Sequence, residues 1–185
     1  LIPDGHPDKS DHLNYLGNTF AVRFEHLGNI IDIDKSVLLL QSAVREVPQI
    51  RNHNAYMVNL GSTFMLRFKH LSNIGDIDQA INVLEHVDAT TENGNSNKPG
   101  YLINLGTMLL LRFMQTEKLC DIDKTVTTFE VALKIAGNHP ERSLLLNNLA
   151  LLLKSCFDKL GDLGDIDKSI SHLEEAVQLC PDGNP

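Results

Sequence analysis

Apolar residues along this chain recur at helical rather than strand spacing. Leu13, Leu16, Phe20 and Phe24 fall three and four residues apart, as do Met57, Leu60, Phe64 and Phe68. The same steps return at Leu102, Leu105, Leu109 and Phe113, and at Leu146, Leu149, Leu153 and Phe157. On a helix of 3.6 residues per turn such positions share one face. A second set follows each first one, for example Val37, Leu40 and Val44, or Ile170, Leu173 and Val177. Short segments such as Leu27-Gly28-Asn29 and Leu71-Ser72-Asn73 lie between the two sets and predict helix ends. Pro48 and Pro181 are expected to close second helices, because proline cannot continue one. No strand pattern competes.

These helix pairs are copies of one unit. Asp-Ile-Asp occurs at Asp32-Ile33-Asp34, Asp76-Ile77-Asp78, Asp121-Ile122-Asp123 and Asp165-Ile166-Asp167, spaced 44, 45 and 44 residues apart. Leu16-Gly17, Leu60-Gly61, Leu105-Gly106 and Leu149-Ala150 keep step, each Leu standing 16 residues before the first Asp. Arg23-Phe24, Arg67-Phe68 and Arg112-Phe113 form a third landmark, replaced by Cys156-Phe157 in the last copy. The copies are expected to span about 6–49, 50–95, 96–138 and 139–185 within a single domain. Asp-Ile-Asp is expected to open the second helix, its carboxylate capping the helix N-terminus. Residues Asp88 to Pro99 depart from the repeat and predict a loose, irregular junction. Pro181-Asp182-Gly183-Asn184-Pro185 nearly repeats Pro3-Asp4-Gly5-His6-Pro7, so the array is expected to be open at both ends.

One helix pair cannot bury its own apolar face, whereas stacked pairs make a continuous core. The expected fold is an all-α, right-handed α-solenoid of four helix–turn–helix repeats (eight helices), elongated and curved. A period near 44 fits HEAT and armadillo repeats as well as a lengthened tetratricopeptide repeat. The residue pattern resembles the tetratricopeptide signature. Leu13-x-x-Leu16-Gly17-x-x-Phe20 and Met57-x-x-Leu60-Gly61-x-x-Phe64 match its first half, with an aliphatic in place of the usual Trp. Ser36, Leu40, Ala43 and Pro48 match the second half, as do Ser169, Leu173, Ala176 and Pro181; Thr125, Phe129 and Ala132 match without the Pro. Asn147-Asn148-Leu149-Ala150 is similar to the lengthened repeats of kinesin light chains. The combination with Asp-Ile-Asp-Lys-Ser resembles arrays of mushroom-forming fungi, which often stand beside CHAT protease or nucleotide-binding domains. The resemblance implies a cytoplasmic, non-catalytic scaffold that binds a protein or peptide, or else a regulatory or self-assembling segment of a larger signalling protein.

Composition narrows the partners. The formal charge of −8, without any basic run, argues against nucleic acid. No apolar stretch is long enough to span a membrane, and no signal peptide opens the chain. Cys120, Cys156 and Cys180 are odd in number and lack metal-ligand spacing, which predicts reduced thiols in a cytosolic protein. The eight His residues include the repeat-equivalent His26 and His70 but form no zinc or catalytic motif, and no cofactor, metal or catalytic residue is expected.

The resemblance places the first helices along a concave groove. There Asn14, Asn18, Asn59, Asn104, Asn147 and Asn148 offer amides that can pair with peptide backbone or, equally, bond neighbouring repeats in a polar ladder. Met65, Leu66, Leu110 and Leu111, with Val22 and Leu151, form a candidate apolar stripe for an amphipathic helix. Arg23, Arg67 and Arg112 make a ladder better explained by pairing with helix-end carbonyls or a following Asp than by an acidic ligand. The Asp-x-Asp pairs read as helix caps, since a calcium loop would need further converging oxygens. Self-association through the open ends is a further expectation.

Overall fold

The computed structural model describes residues 8–46, 53–137 and 142–179. The described residues form eight α-helices and no strand. These are α1 (Lys9–Leu27), α2 (Ile30–Glu46), α3 (His53–Leu71), α4 (Ile74–Thr90), α5 (Lys98–Thr116), α6 (Leu119–Ala136), α7 (Arg142–Leu160) and α8 (Leu163–Leu179). Consecutive helices pair as four hairpins, the all-α helical-repeat class expected from the period. The chain divides into two compact units between Thr91 and Glu92. In the first, α3 packs against both α1 and α2; in the second, α7 packs against both α5 and α6. Pro48, Pro181, Cys180 and the two Pro-Asp-Gly segments lie outside the described residues.

The turn inside each hairpin is made the same way four times. Gly28, Ser72, Glu117 and Gly161 stand at one repeat position, each with left-handed backbone, φ from 53° to 74°. Their N–H groups return to the carbonyls of Phe24, Phe68, Phe113 and Phe157 at 2.7–2.8 Å, which satisfies a helix-end acceptor. Ser72 and Glu117 hold this conformation without the freedom that glycine has there.

The start of the second helix corrects the sequence reading. These helices begin two residues before Asp-Ile-Asp, and the cap is the residue before that. Asn29 Oδ1 accepts from the Ile31 N–H at 3.1 Å, Asn73 Oδ1 from Gly75 at 3.0 Å and Asp162 Oδ1 from Gly164 at 2.8 Å. The first Asp of the tripeptide is therefore the third helical residue, near the positive helix end but not the cap. The junction also differs from expectation. Helix α4 runs on through Asp88 to Thr90, and only residues 91–97 are irregular. Thr91 is buried, its hydroxyl donating to the Val87 carbonyl at 2.6 Å and accepting from Asn54 Nδ2 at 2.9 Å.

The Leu-Gly landmark marks a close approach between the two helices of a hairpin. A Cβ on Gly17 would lie 2.8 Å from Leu40 Cγ, one on Gly61 3.2 Å from Leu84 Cγ, and one on Gly106 would overlap the Phe129 ring. Leu40, Leu84 and Phe129 are buried core residues that fill the space a side chain would take. The fourth hairpin carries Ala150 there, and the buried Ser169 hydroxyl donates to the Ala150 carbonyl at 2.8 Å.

Candidate partner-binding surface

The asparagines divide between stacking and surface. Asn14 is buried, and its Oδ1 accepts from Asn59 Nδ2 at 3.0 Å, joining α1 to α3. This bond forms a rung of a polar ladder between neighbouring repeats. Tyr56 Oη and Asp11 Oδ1 make a second bond between the same helices. In the other unit, Asn148 Nδ2 donates to Thr107 Oγ1 at 3.4 Å, joining α7 to α5. Asn18 and Asn104 are half-buried and Asn147 is exposed.

The apolar candidates separate in the same manner. Leu110, expected on the groove, is only 4% exposed and belongs to the core cluster with Phe113, Phe129 and Leu149. Met65, Leu66 and Leu111 are half-buried, whereas Val22 and Leu151 are exposed. Met114, half-exposed near the end of α5, belongs beside them and was missed. Its signal is the i, i+3 step from Leu111, which keeps both on one helix face.

The arginines are clamps inside the hairpins. Arg23 Nε and Nη2 both donate to Asp32 at 2.6 Å. Arg67 repeats the geometry on Asp76 at 3.0 and 2.5 Å, and Arg112 on Asp121 at 2.8 and 2.7 Å. The carboxylates are buried, so each bidentate pair satisfies a charge removed from water. The Arg23 guanidinium holds the Asp32 carboxyl below the usual carboxylate range. Arg67 also reaches across to the preceding repeat, its Nη1 donating to Asp34 at 3.0 Å. The Arg-to-Asp interval of nine residues in three copies is the signal for this clamp. The fourth copy has Cys156 opposite Asp165, a buried thiol whose pKa is pushed up first by burial and then by Asp165 and Asp123.

The remaining titratable groups make local contacts. His70 sits edge-on to Phe24 with ring centroids 4.7 Å apart, and burial, then His86, pushes the His53 pKa down. Among the described residues no three His, Cys, Asp or Glu side chains converge to hold a metal ion. None of the described helices is long and apolar enough to cross a membrane.

What the fold and surface define is a helical-repeat architecture. No protein-family model matches the chain, and no curated protein matches it. Among solved structures it is similar to the DHF58 filament protein, at 14% identity and a TM-score of 0.55 over 92% of each chain. It is also similar to the DHF119 filament protein, at 14% identity and a TM-score of 0.50 over 93% of each chain. These likenesses bear on the fold alone.

Proposed function

We propose that this chain is a protein-interaction scaffold of the tetratricopeptide type, binding a peptide or partner helix along its first helices and performing no catalysis. The observation that supports this most is that each unit, taken by itself, leaves aliphatic side chains partly uncovered on its first helices. Met65 and Leu66 stand on α3, Leu111 and Met114 on α5, and Leu151 on α7. Within the second unit, Leu111, Met114 and Leu151, with the amides of Asn104 and Asn147 on the same two helices, suit an amphipathic ligand. The lengthened, kinesin-light-chain-like repeat, a fungal source and a cytoplasmic setting belong to the same reading, supported by the Leu-Gly-x-x-Phe and Asp-Ile-Asp-Lys-Ser patterns. The charge of −8 favours a partner that is neither nucleic acid nor an anionic membrane surface.

Panning a random peptide library on the folded chain tests the proposal. Enriched peptides are expected to lose about ten-fold or more in affinity with Met114→Asp and Leu151→Asp. Leu38→Asp, on the exposed face of a second helix, is expected to leave affinity unchanged. Peptides that bind all three variants alike, or no enrichment at all, would refute the reading.

A further inference from the structure

Three hairpins hold an aspartate with an arginine, and the fourth keeps the aspartate without the arginine. The interval of nine residues that separates Arg23 from Asp32, Arg67 from Asp76 and Arg112 from Asp121 separates Cys156 from Asp165. In the first three hairpins the guanidinium takes both carboxylate oxygens, through Nε and Nη2, at 2.5–3.0 Å. In the first unit one guanidinium also joins two hairpins, because Arg67 Nη1 donates to Asp34, 33 residues back, at 3.0 Å. Counting 33 residues back from Cys156 gives Asp123, the repeat equivalent of Asp34. Asp165 and Asp123 are therefore the two carboxylates that an arginine at position 156 would hold.

The cation is not replaced from nearby. Among the described residues neither carboxylate has a hydrogen bond or an ion pair, and the two lysines that flank Cys156 on α7 are spent elsewhere, Lys154 on Asp158 and Lys159 on Glu117. The Cys156 side chain is a second, independent sign. It is a free thiol, only 3% exposed and without a hydrogen-bond partner among the described residues. Burial first, and then Asp165 and Asp123, push its pKa up, so it stays neutral and lends neither carboxylate a positive charge. A neutral thiol is also a poor metal ligand, and no three metal-ligating side chains converge among the described residues. The place that a guanidinium occupies is open to water, the side chains of Arg23, Arg67 and Arg112 being 53%, 20% and 15% exposed. It lies inside the second unit, among α6, α7 and α8. An arginine in the same phase beyond α8 would answer to Asp167, as Arg67 answers to Asp34, and would leave this pair unchanged.

We propose that Asp165 and Asp123 recognise an arginine side chain of a peptide or protein partner, whose guanidinium takes the place that Arg67 fills in the second hairpin. The planar fork of donors that fits three carboxylates of this chain fits the fourth, which a compact lysine ammonium does less well. The site is built from α6, α7 and α8 side chains other than Leu111, Met114 and Leu151, and it does not rest on the apolar surface.

Titrating the isotope-labelled chain with acetyl-Gly-Arg-Gly-amide from about 0.1 to about 20 mM, the range suited to one partly exposed ion pair, and following amide NMR shifts tests it. Saturable shifts are expected around Asp123, Cys156 and Asp165. The lysine peptide should bind several-fold more weakly, and the uncharged citrulline peptide should give no saturable shift. Asp165→Asn is expected to weaken binding about ten-fold or more, and Asp123→Asn about three-fold or more, since one contributes a bidentate bond and the other a single one. Cys156→Arg supplies the guanidinium from within and is expected to abolish peptide binding and raise the melting temperature. If Cys156→Arg does not fold, the two Asn variants decide alone. Shifts that fail to saturate, that the citrulline peptide reproduces or that Asp165→Asn leaves unchanged overturn the proposal. So does a folded Cys156→Arg chain that binds the peptide as before.

Discussion

The third and fourth hairpins share one unit and one repeat phase, yet among the equivalent positions where they differ are three that set the packing inside a hairpin. The third has Gly106 beneath Phe129 and clamps Asp121 with Arg112. The fourth has Ala150, Leu173 and Cys156 at those places. The differences go together with cover: Phe129 is buried, while Leu173 stands in the open. The second helices with a following hairpin packed on them, α2 and α6, hold Leu40 and Phe129 buried in tight contact with Gly17 and Gly106. A repeat residue thus takes its energetic weight from the next hairpin as much as from its own.

Truncation at this position should give the largest contrast. Phe129→Ala removes a fully buried ring from the core and is expected to cost about 3–5 kcal/mol. Leu173→Ala, measured in dilute solution, is expected to stay within about 0.5 kcal/mol, because much of that side chain is already in water. Urea unfolding followed by circular dichroism measures both. Similar losses at the two positions would mean that burial does not separate the hairpins.

A smaller contrast sits at the helix crossing. Gly106→Ala gains helix propensity of about 1 kcal/mol but drives a methyl into the Phe129 ring, an overpacking expected to cost about 1–3 kcal/mol. Combining it with Phe129→Leu recreates the pair that the fourth hairpin carries and is expected to recover part of that loss. A double-mutant cycle showing no coupling between Gly106 and Phe129 would break the explanation.

These positions also show what could be read from residues alone. The period, the hairpin count and the ends of the first helices were legible, since Leu27, Leu71 and the Leu-Gly pairs recur in fixed phase. Asp-Ile-Asp was legible as a landmark but not in its role. Asn29, Asn73 and Asp162 compete for the cap, and the Asp is held by an arginine nine residues back across a turn. For the candidate surface the difficulty was rotation about the helix axis. Neighbouring residues on a helix differ by about 100°, and this small step leaves Leu110 in the core and Leu111 at its edge. Whether Asn59 faces a ligand or Asn14 depends on how two repeats stack, which no single repeat encodes.

The clamp offers a last and smaller contrast, between hairpins that carry the arginine and the one that carries Cys156. The Asp32 carboxyl titrates below its ordinary range, chiefly because Arg23 donates to its charged form. Its folded pKa is therefore lower than its unfolded one, so its contribution is complete above an unfolded value of about 3.9. That contribution is lost as pH falls through the lower folded value. Melting temperatures taken from about pH 6 to about pH 2 should show Asp32→Asn below the unaltered chain at the upper end, with the two curves converging in acid. Cys156 behaves oppositely. Its thiol pKa is raised, so it stays neutral through this whole range, and Cys156→Ala should displace the curve without altering its slope. Parallel curves for Asp32→Asn, or a changed slope for Cys156→Ala, would show that acid sensitivity is not set by the arginine clamp.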